Sequence, residues 1–395
     1  MADTVHMIVG VVGAGAMGSG IAHVAAAAGH AVVLGDTNQE AVDRARAAVA
    51  KALARDVEKG RIDQSTADAT LARIADAGSV APGYEAYRDC GLVIEAVAEA
   101  LSVKTAIFRE LEAFIADDCM LGTNTSSLSV AAIAGACRLP GRVVGIHFFN
   151  PAVVMPLVEI IPAITTDADV TGRARALVDG WKKTTVIATD TPGFIVNRVA
   201  RPFYGESLRL LEEGIADAPT IDWAMREFGG FRMGPFELMD FIGNDINFAV
   251  TQSVYEGFFF DPRYKPALTQ RRLVEAGLWG RKRQRGYYDY RDGAQRPEPT
   301  RDASIGQAVF DRVLAMLVNE AVDAVYMRVA SAPDVETAMT RGVNYPKGLL
   351  AWGDEIGPAL ILSGLDQLYA EYGEDRYRAS PLLRRRVRDG RTLLG

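Results

Sequence analysis

Of the four histidines in the chain, His147 stands where an imidazole could do chemistry. It closes an apolar run, Arg142 to Ile146, that reads as a strand and leads into His147-Phe148-Phe149-Asn150-Pro151. His6 precedes the first strand, His23 falls on a helix and His30 in a turn. An imidazole titrates near neutral pH, which suits the removal of a proton from a hydroxyl group. Glu159 interrupts the next apolar run, Leu157-Val158-Glu159-Ile160. An acid in such a run is costly unless paired. Pairing with His147 would fix the ring's tautomer and raise its basicity. Ser126, in Asn124-Thr125-Ser126-Ser127, and Asn197 could hydrogen-bond a substrate oxygen and steady charge developing on it. The plainer reading makes His147 a structural residue capping a strand.

A base for a hydroxyl proton implies an acceptor for the hydride, and the start of the chain provides for one. Met7 to Val12 is an apolar run of strand length, followed by Gly13-Ala14-Gly15-Ala16-Met17-Gly18. An Ala-rich helix runs to about Ala28, and a second apolar run ends at Asp36. Gly13 permits the turn, Gly15 lets a pyrophosphate approach, and Gly18 lets helix and strand pack closely. The helix N-terminus offers its free N–H groups to the phosphates. Asp36 stands 18 residues past Gly18, where a carboxylate accepts hydrogen bonds from ribose hydroxyls. It repels a 2′-phosphate, and Thr37 offers no offsetting cation, so the cofactor expected is NAD rather than NADP.

These residues need a doubly wound sheet. Apolar runs at Leu92–Val97, Met120–Thr123, Arg142–Ile146, Leu157–Ile161 and Thr185–Thr189 alternate with helical patterns over the first part of the chain. Two helical stretches after Asp36, Gln39 to Lys59 and Gln64 to about Ile74, read as an inserted hairpin. Lys51, Arg55 and Lys59 form one cationic stripe on it, a solvated face or a landing strip for a phosphorylated ligand. From Pro192 the period becomes helical, with patterns at Val199–Gly214, Thr220–Phe228 and Phe236–Gly257. The expected division is an NAD-binding domain over 1–189, a helical domain over 190–290, a linker over 291–304 and a second helical domain over 305–395. That second domain repeats the first. A shift of 114 positions lays NRVARPFYGESLRLLEEGIADAP on DRVLAMLVNEAVDAVYMRVASAP without a gap.

Composition narrows the setting. Apolar residues make up 49% and charged residues 24%, which is ordinary for a globular protein. A net charge of −7 argues against broad binding to nucleic acid or anionic membrane. Cys90, Cys119 and Cys137 form no C-x-x-C pair, which suits a reducing cytosol. With four histidines and no H-E-x-x-H, no metal site is expected. The opening residues carry no secretory pattern and no run is long enough to span a membrane, so a cytoplasmic location is expected.

GAGAMGSGIA, NTSSL, HFFNP, LVEII, DTPGFIVNR and MGPFEL together resemble the L-3-hydroxyacyl-CoA dehydrogenase family, over Val9 to Tyr290. The resemblance implies NAD-dependent oxidation of the 3-hydroxyl of an acyl-CoA thioester. It implies His147 as base, Glu159 as its partner, and Ser126 and Asn197 as ligands of the substrate oxygen. It adds Glu99, Lys104, Asn124, Ser126, Asn150 and Lys282 to Asp36 and the glycine loop (Gly13 to Gly18, with Ala16 and Met17) as NAD contacts, and Lys59 as a contact of the CoA moiety. Where the family has a CoA-contacting serine this chain has Ala52. The repeated helical unit is similar to that of bacterial members acting on 3-hydroxyadipyl-CoA. Activity on 3-hydroxybutyryl-CoA in either direction, or a non-catalytic crystallin-like role, are the alternatives. A dicarboxylyl substrate would need a cation beyond the reacting carbon. Arg201, one helical turn after Asn197, is the candidate, with a solvated or interface arginine as the other reading. Members with one helical unit dimerise through it, so this chain is expected to be a homodimer or a monomer with an internal pseudo-dimer.

Overall fold

The computed structural model describes residues 7–79 and 83–395; His6 lies outside them. Eight runs form one sheet: β1 (Ile8–Val12), β2 (Ala31–Asp36), β3 (Ile74–Ser79), β4 (Cys90–Glu95), β5 (Met120–Thr123), β6 (Val143–Phe148), β7 (Leu157–Pro162) and β8 (Thr184–Ile187). Their order is β3-β2-β1-β4-β5-β6-β7-β8. This is the Rossmann-type sheet expected. Strands β1, β4, β5, β6 and β7 are almost wholly buried, so they read as continuous apolar runs rather than alternating ones. Every pairing is parallel except β6 with β7.

Two readings of the local pattern change here. The second helix of the inserted hairpin ends at Ala72, and Ile74–Ser79 forms the edge strand β3 against β2. IADAGS carries little β-branched bulk, so its local signal is weak and pairing decides it. The pattern Phe236–Gly257 is two helices, Pro235–Ile242 and Asn244–Gly257, broken at Gly243 with φ 107°. That φ is open to glycine and strained for other residues.

The chain divides into two compact units, Met1–Thr191 and Pro192–Gly395. The second unit contains both copies of the helical repeat, each with the same elements. Helices Pro235–Ile242 and Asn244–Gly257 recur as Leu349–Ile356 and Pro358–Tyr372, and Gly357 repeats the break with φ 105°. The opening helix differs. In the first copy it is broken into Val196–Val199 and Arg201–Glu212, with Pro202 near the start of the second piece. Proline cannot donate the interior helix bond. In the second copy Met316 takes that position, and one helix runs from Ala303 to Tyr326. Val313 to Ala324 of this helix are buried on every side, so it forms the centre of the unit.

The copies meet reciprocally. Arg198 Nε lies 2.6 Å from Glu320 Oε1, and Arg312 Nε lies 2.6 Å from Glu206 Oε1. Arg312 and Glu320 are Arg198 and Glu206 shifted by one repeat. Tyr264 donates to Glu320 at 2.6 Å, and Tyr377 to Glu206 at 2.8 Å. Phe231 and its counterpart Tyr345 pack edge to face, their ring centres 5.0 Å apart. A contact in which i meets j′ while i′ meets j is the mark of a two-fold interface. Here it is made within one chain.

Candidate active site

In the first unit the polar residues gather at the carboxyl ends of the strands, where ligands of doubly wound folds sit. A cleft of about 840 Å³ opens there, lined by Gly13, Gly15, Ala16, Met17, Asp36 and Val97 among others. Asp36 ends β2, and its Oδ2 accepts from the Ala14 amide at 2.8 Å, which fixes the carboxylate to the glycine loop. A Cβ on Gly18 would stand 1.7 Å from the Gly13 carbonyl oxygen, so only glycine fits. A Cβ on Gly15 would meet nothing within 4 Å, so the loop surface there is open to a ligand. The helix Ala16–Ala27 begins at this point with no side chain capping it, leaving its first N–H groups to an anion. A cradle of this shape fits the pyrophosphate and ribose of NAD.

Beside the cleft, β4 ends in Glu95, fully buried. Its Oε1 accepts from Lys104 Nζ and from the Val97 amide, each at 2.7 Å, and its Oε2 from Thr123 Oγ1 at 2.8 Å. Lys104 is itself only 1% exposed and also pairs with Glu99 at 3.3 Å. Its ammonium is therefore held by two carboxylates. Glu99 in turn gathers the loop after β5: Thr125 Oγ1 donates to it at 2.7 Å, the Ser126 amide at 2.8 Å and the Ser127 amide at 3.2 Å. Burial disfavours the ionised Glu99 carboxyl, but Lys104 and these donors outweigh it and hold its pKa below the ordinary value. Glu95 was missed as a site residue, although an acid ending the apolar run LVIE carries the same signal that singled out Glu159.

His147 and Glu159 lie directly opposite each other in the antiparallel β6–β7 pair, so both side chains leave the same face of the sheet. His147 Nδ1 is 2.7 Å from Glu159 Oε2. Glu159 is fully buried and His147 nearly so. The Phe149 ring packs on the imidazole at 4.5 Å. Asn124 holds the neighbouring strand end by accepting from the Phe148 amide at 2.8 Å. The carboxylate orients Nδ1–H toward itself and leaves Nε2 as the acceptor.

Asn150 is exposed just beyond β6, and Lys59 is exposed just past the helix Gln39–Glu58, as are Lys51 and Arg55. Asn197, Arg201 and Lys282 belong to the second unit. Asn197 lies in the short helix Val196–Val199, and Lys282 Nζ pairs with Asp245 at 2.6 Å.

A glycine cradle with its ribose acceptor, beside a buried carboxylate–imidazole pair, defines an NAD-dependent dehydrogenase of alcohols. Comparison with known proteins narrows the class. The model of the 3-hydroxyacyl-CoA dehydrogenase NAD-binding domain matches residues 8–191, and that of the 3-hydroxyacyl-CoA dehydrogenase C-terminal domain matches residues 193–290 and again 309–393. The chain belongs to the 3-hydroxyacyl-CoA dehydrogenase family and is an NAD-dependent oxidoreductase of 3-hydroxyacyl-CoA thioesters. It is 38% identical to the 3-hydroxyadipyl-CoA dehydrogenase of Escherichia coli K12, over 96% of this chain and 97% of that one. It is 41% identical to a 3-hydroxybutyryl-CoA dehydrogenase of Bradyrhizobium diazoefficiens, over 74% of this chain and 98% of that one. The crystal structure of 3-hydroxybutyryl-CoA dehydrogenase from E. coli K12 superposes with a TM-score of 0.90 at 36% identity, over 96% and 98% of the two chains. No helix among the described residues is long and apolar enough to cross a membrane.

Proposed function

We propose that His147 is the general base of the reaction and that the chain oxidises 3-hydroxyadipyl-CoA to the 3-oxo thioester. The observation that carries the assignment is the His147–Glu159 pair, 2.7 Å apart and buried. Nε2 of His147 takes the proton of the 3-hydroxyl, and Glu159 holds the ring and stabilises the imidazolium that results. When bound, NAD supplies the acceptor for the hydride leaving C3. Ser126 and Asn197 donate hydrogen bonds to the substrate oxygen, and Glu99 positions Ser126 through its amide. Asp36 selects NAD through its ribose. Lys59, Asn150 and Lys282 take part in ligand contacts by their place in the family pattern.

The adipyl substrate is supported by the E. coli relative named for it, which matches this chain end to end including the repeat. The 3-hydroxybutyryl-CoA reading has its own support in the Bradyrhizobium relative and the E. coli crystal structure named for that substrate. The test is a panel of 3-hydroxyacyl-CoA thioesters of rising length, with and without a terminal carboxylate, followed by NADH formation. The highest kcat/KM on 3-hydroxyadipyl-CoA is expected, and a peak at the four-carbon substrate overturns it.

The second helical copy is proposed to be structural in that it holds no reacting group of its own: Asp311 stands in place of Asn197. Its reciprocal packing supports a chain that acts as a monomer, with the internal interface replacing one between subunits.

A further inference from the structure

The two copies of the helical repeat are an internal comparison. Apart from the helix break at Pro202, positions related by 114 residues hold corresponding places, so a polar group that only one copy keeps is not required by the elements they share. In the first copy Arg201, Tyr204, Asn247 and Thr251 are buried together. In the second copy the same positions are Ala315, Val318, Ile361 and Leu365, all buried and all apolar. The second copy folds with an aliphatic set at these positions, Ala315 and Ile361 lining a cavity of about 590 Å³, so no polar group is needed there, and burying a guanidinium in their place costs solvation.

Nothing anionic compensates for that guanidinium. Arg201 Nε donates to the Asn197 carbonyl at 2.7 Å and Nη1 to Thr251 Oγ1 at 3.1 Å, and its Cζ lies 4.9 Å from the centre of the Tyr204 ring. Among the described residues Arg201 makes no ion pair with a carboxylate. Arg198, three positions earlier and as deeply buried, pairs with both Glu320 and Asp323. Burial accordingly pulls the Arg201 pKa below its ordinary value, and the titratable neighbours that act on it are two phenols, Tyr204 and Tyr345. Tyr345 comes from the second copy, and its hydroxyl is buried with no hydrogen-bond partner among the described residues. Burial holds that phenol in its neutral, donating form. A guanidinium with unused donors and a phenol O–H without an acceptor complement one carboxylate.

We propose that Arg201, with Tyr345, receives the carboxylate at the far end of the acyl chain and so makes the enzyme selective for ω-carboxyacyl-CoA thioesters. The proposal rests on the dicarboxylyl substrate put forward above, and it gives the second copy a part in recognition. The bond from Arg201 Nε to the Asn197 carbonyl sets the guanidinium beside the residue assigned to the 3-oxygen.

The test uses the full-length enzyme with 3-hydroxyadipyl-CoA and 3-hydroxyhexanoyl-CoA, which have the same chain length and differ in the terminal carboxylate. Arg201→Leu is expected to lower the ratio of kcat/KM for the first over the second by about tenfold or more, the scale of a charge-assisted hydrogen bond. Tyr345→Phe should lower it by a smaller factor, mainly through KM. Equal losses on both substrates, or an unchanged ratio, overturn the proposal. A wild-type enzyme that oxidises both but prefers hexanoyl overturns it while leaving the reaction class standing; one that oxidises neither removes the underlying reading instead. Should Arg201→Leu fail to fold, competition on the wild-type enzyme decides. Adipyl-CoA should inhibit at least tenfold more tightly than hexanoyl-CoA, and equal inhibition sinks the proposal.

Discussion

His147 and Glu159 face each other across β6 and β7, the antiparallel pair of the sheet, with 2.7 Å between Nδ1 and Oε2, because the register sets them directly opposite. The pairing predicts distinct losses for the two residues. His147→Gln should reduce kcat by about 10²–10⁴-fold while NAD binding is retained, because the base goes and the glycine cradle stays. Glu159→Gln should keep a residue of the same shape but lose the carboxylate that stabilises the imidazolium, lowering kcat with little change in the affinity for NAD. Stopped-flow turnover and NADH fluorescence titration check both. Near wild-type turnover in His147→Gln removes it as the base.

Asp36→Ala should weaken NAD and narrow the preference over NADP. The ribose acceptor and the charge that repels a 2′-phosphate are lost together. Loss of the bond from the Ala14 amide to Asp36 also frees the glycine loop, so part of the loss should appear with both cofactors. Dissociation constants for NAD and NADP before and after the change measure this. An unchanged NAD affinity places the ribose acceptor elsewhere.

Glu99 carries a pH dependence whose sign follows from its surroundings. Its folded pKa lies below the ordinary glutamate value of about 4.3. The ionised form is thus favoured by the fold, and its contribution is present above the unfolded pKa and lost as pH falls through the folded one. The Ser126 loop should therefore loosen in acid. In Glu99→Gln the acid-side loss of stability should be shallower, which denaturant melts across pH 3 to 6 (roughly the span around that pKa) will show. A variant with the same slope as wild type means other carboxylates set it.

Glu320→Leu should destabilise the helical unit strongly. It leaves buried Arg198 with Asp323 alone and Arg263 with Asp323 and Asp261, and strips Tyr264 of its acceptor. Breaking one side of a buried pair typically costs about 3–5 kcal/mol. Urea unfolding gives the value, and a loss below about 1 kcal/mol would put this pair among ordinary surface pairs in strength.

Deletion of residues 304–395 removes the helix that fills the centre of the second unit. The first copy should then aggregate or dimerise through the exposed face rather than lose its chemistry cleanly. Light scattering of the truncated protein decides, and a soluble, fully active monomer is the outcome that contradicts the shared core.

Much of this was legible in the chain. The glycine loop and Asp36 are local signals, and the buried strands announce themselves as apolar runs. His147 stood out because it closes such a run, and Glu159 because an acid inside one demands a partner. The direction of β7 was not legible, since an apolar run of six residues reads the same either way. The edge strand β3 was missed because IADAGS has little intrinsic preference and its neighbour β2 imposes the conformation. The break at Gly243 was hidden inside a continuous helical pattern; a glycine was visible there, but its φ was not. The tie between Lys104 and Glu95 joins a strand end to a helix nine residues on, and no periodicity encodes it. The unpaired state of Arg201 is a property of packing across both copies, which composition cannot report.

The ring contact between Phe231 and Tyr345 has a consequence for how such a molecule can change. Where two identical chains meet about a two-fold axis, a residue near the axis faces itself, and any substitution arrives on both sides at once. A phenol introduced there would bring a second hydroxyl into the same crowded core. Joined in one chain, the two positions are inherited separately, so one can gain a polar atom while the other stays apolar. Fusion thus turns a mirrored seam into one whose halves drift independently, and a polar group intolerable in duplicate becomes admissible once.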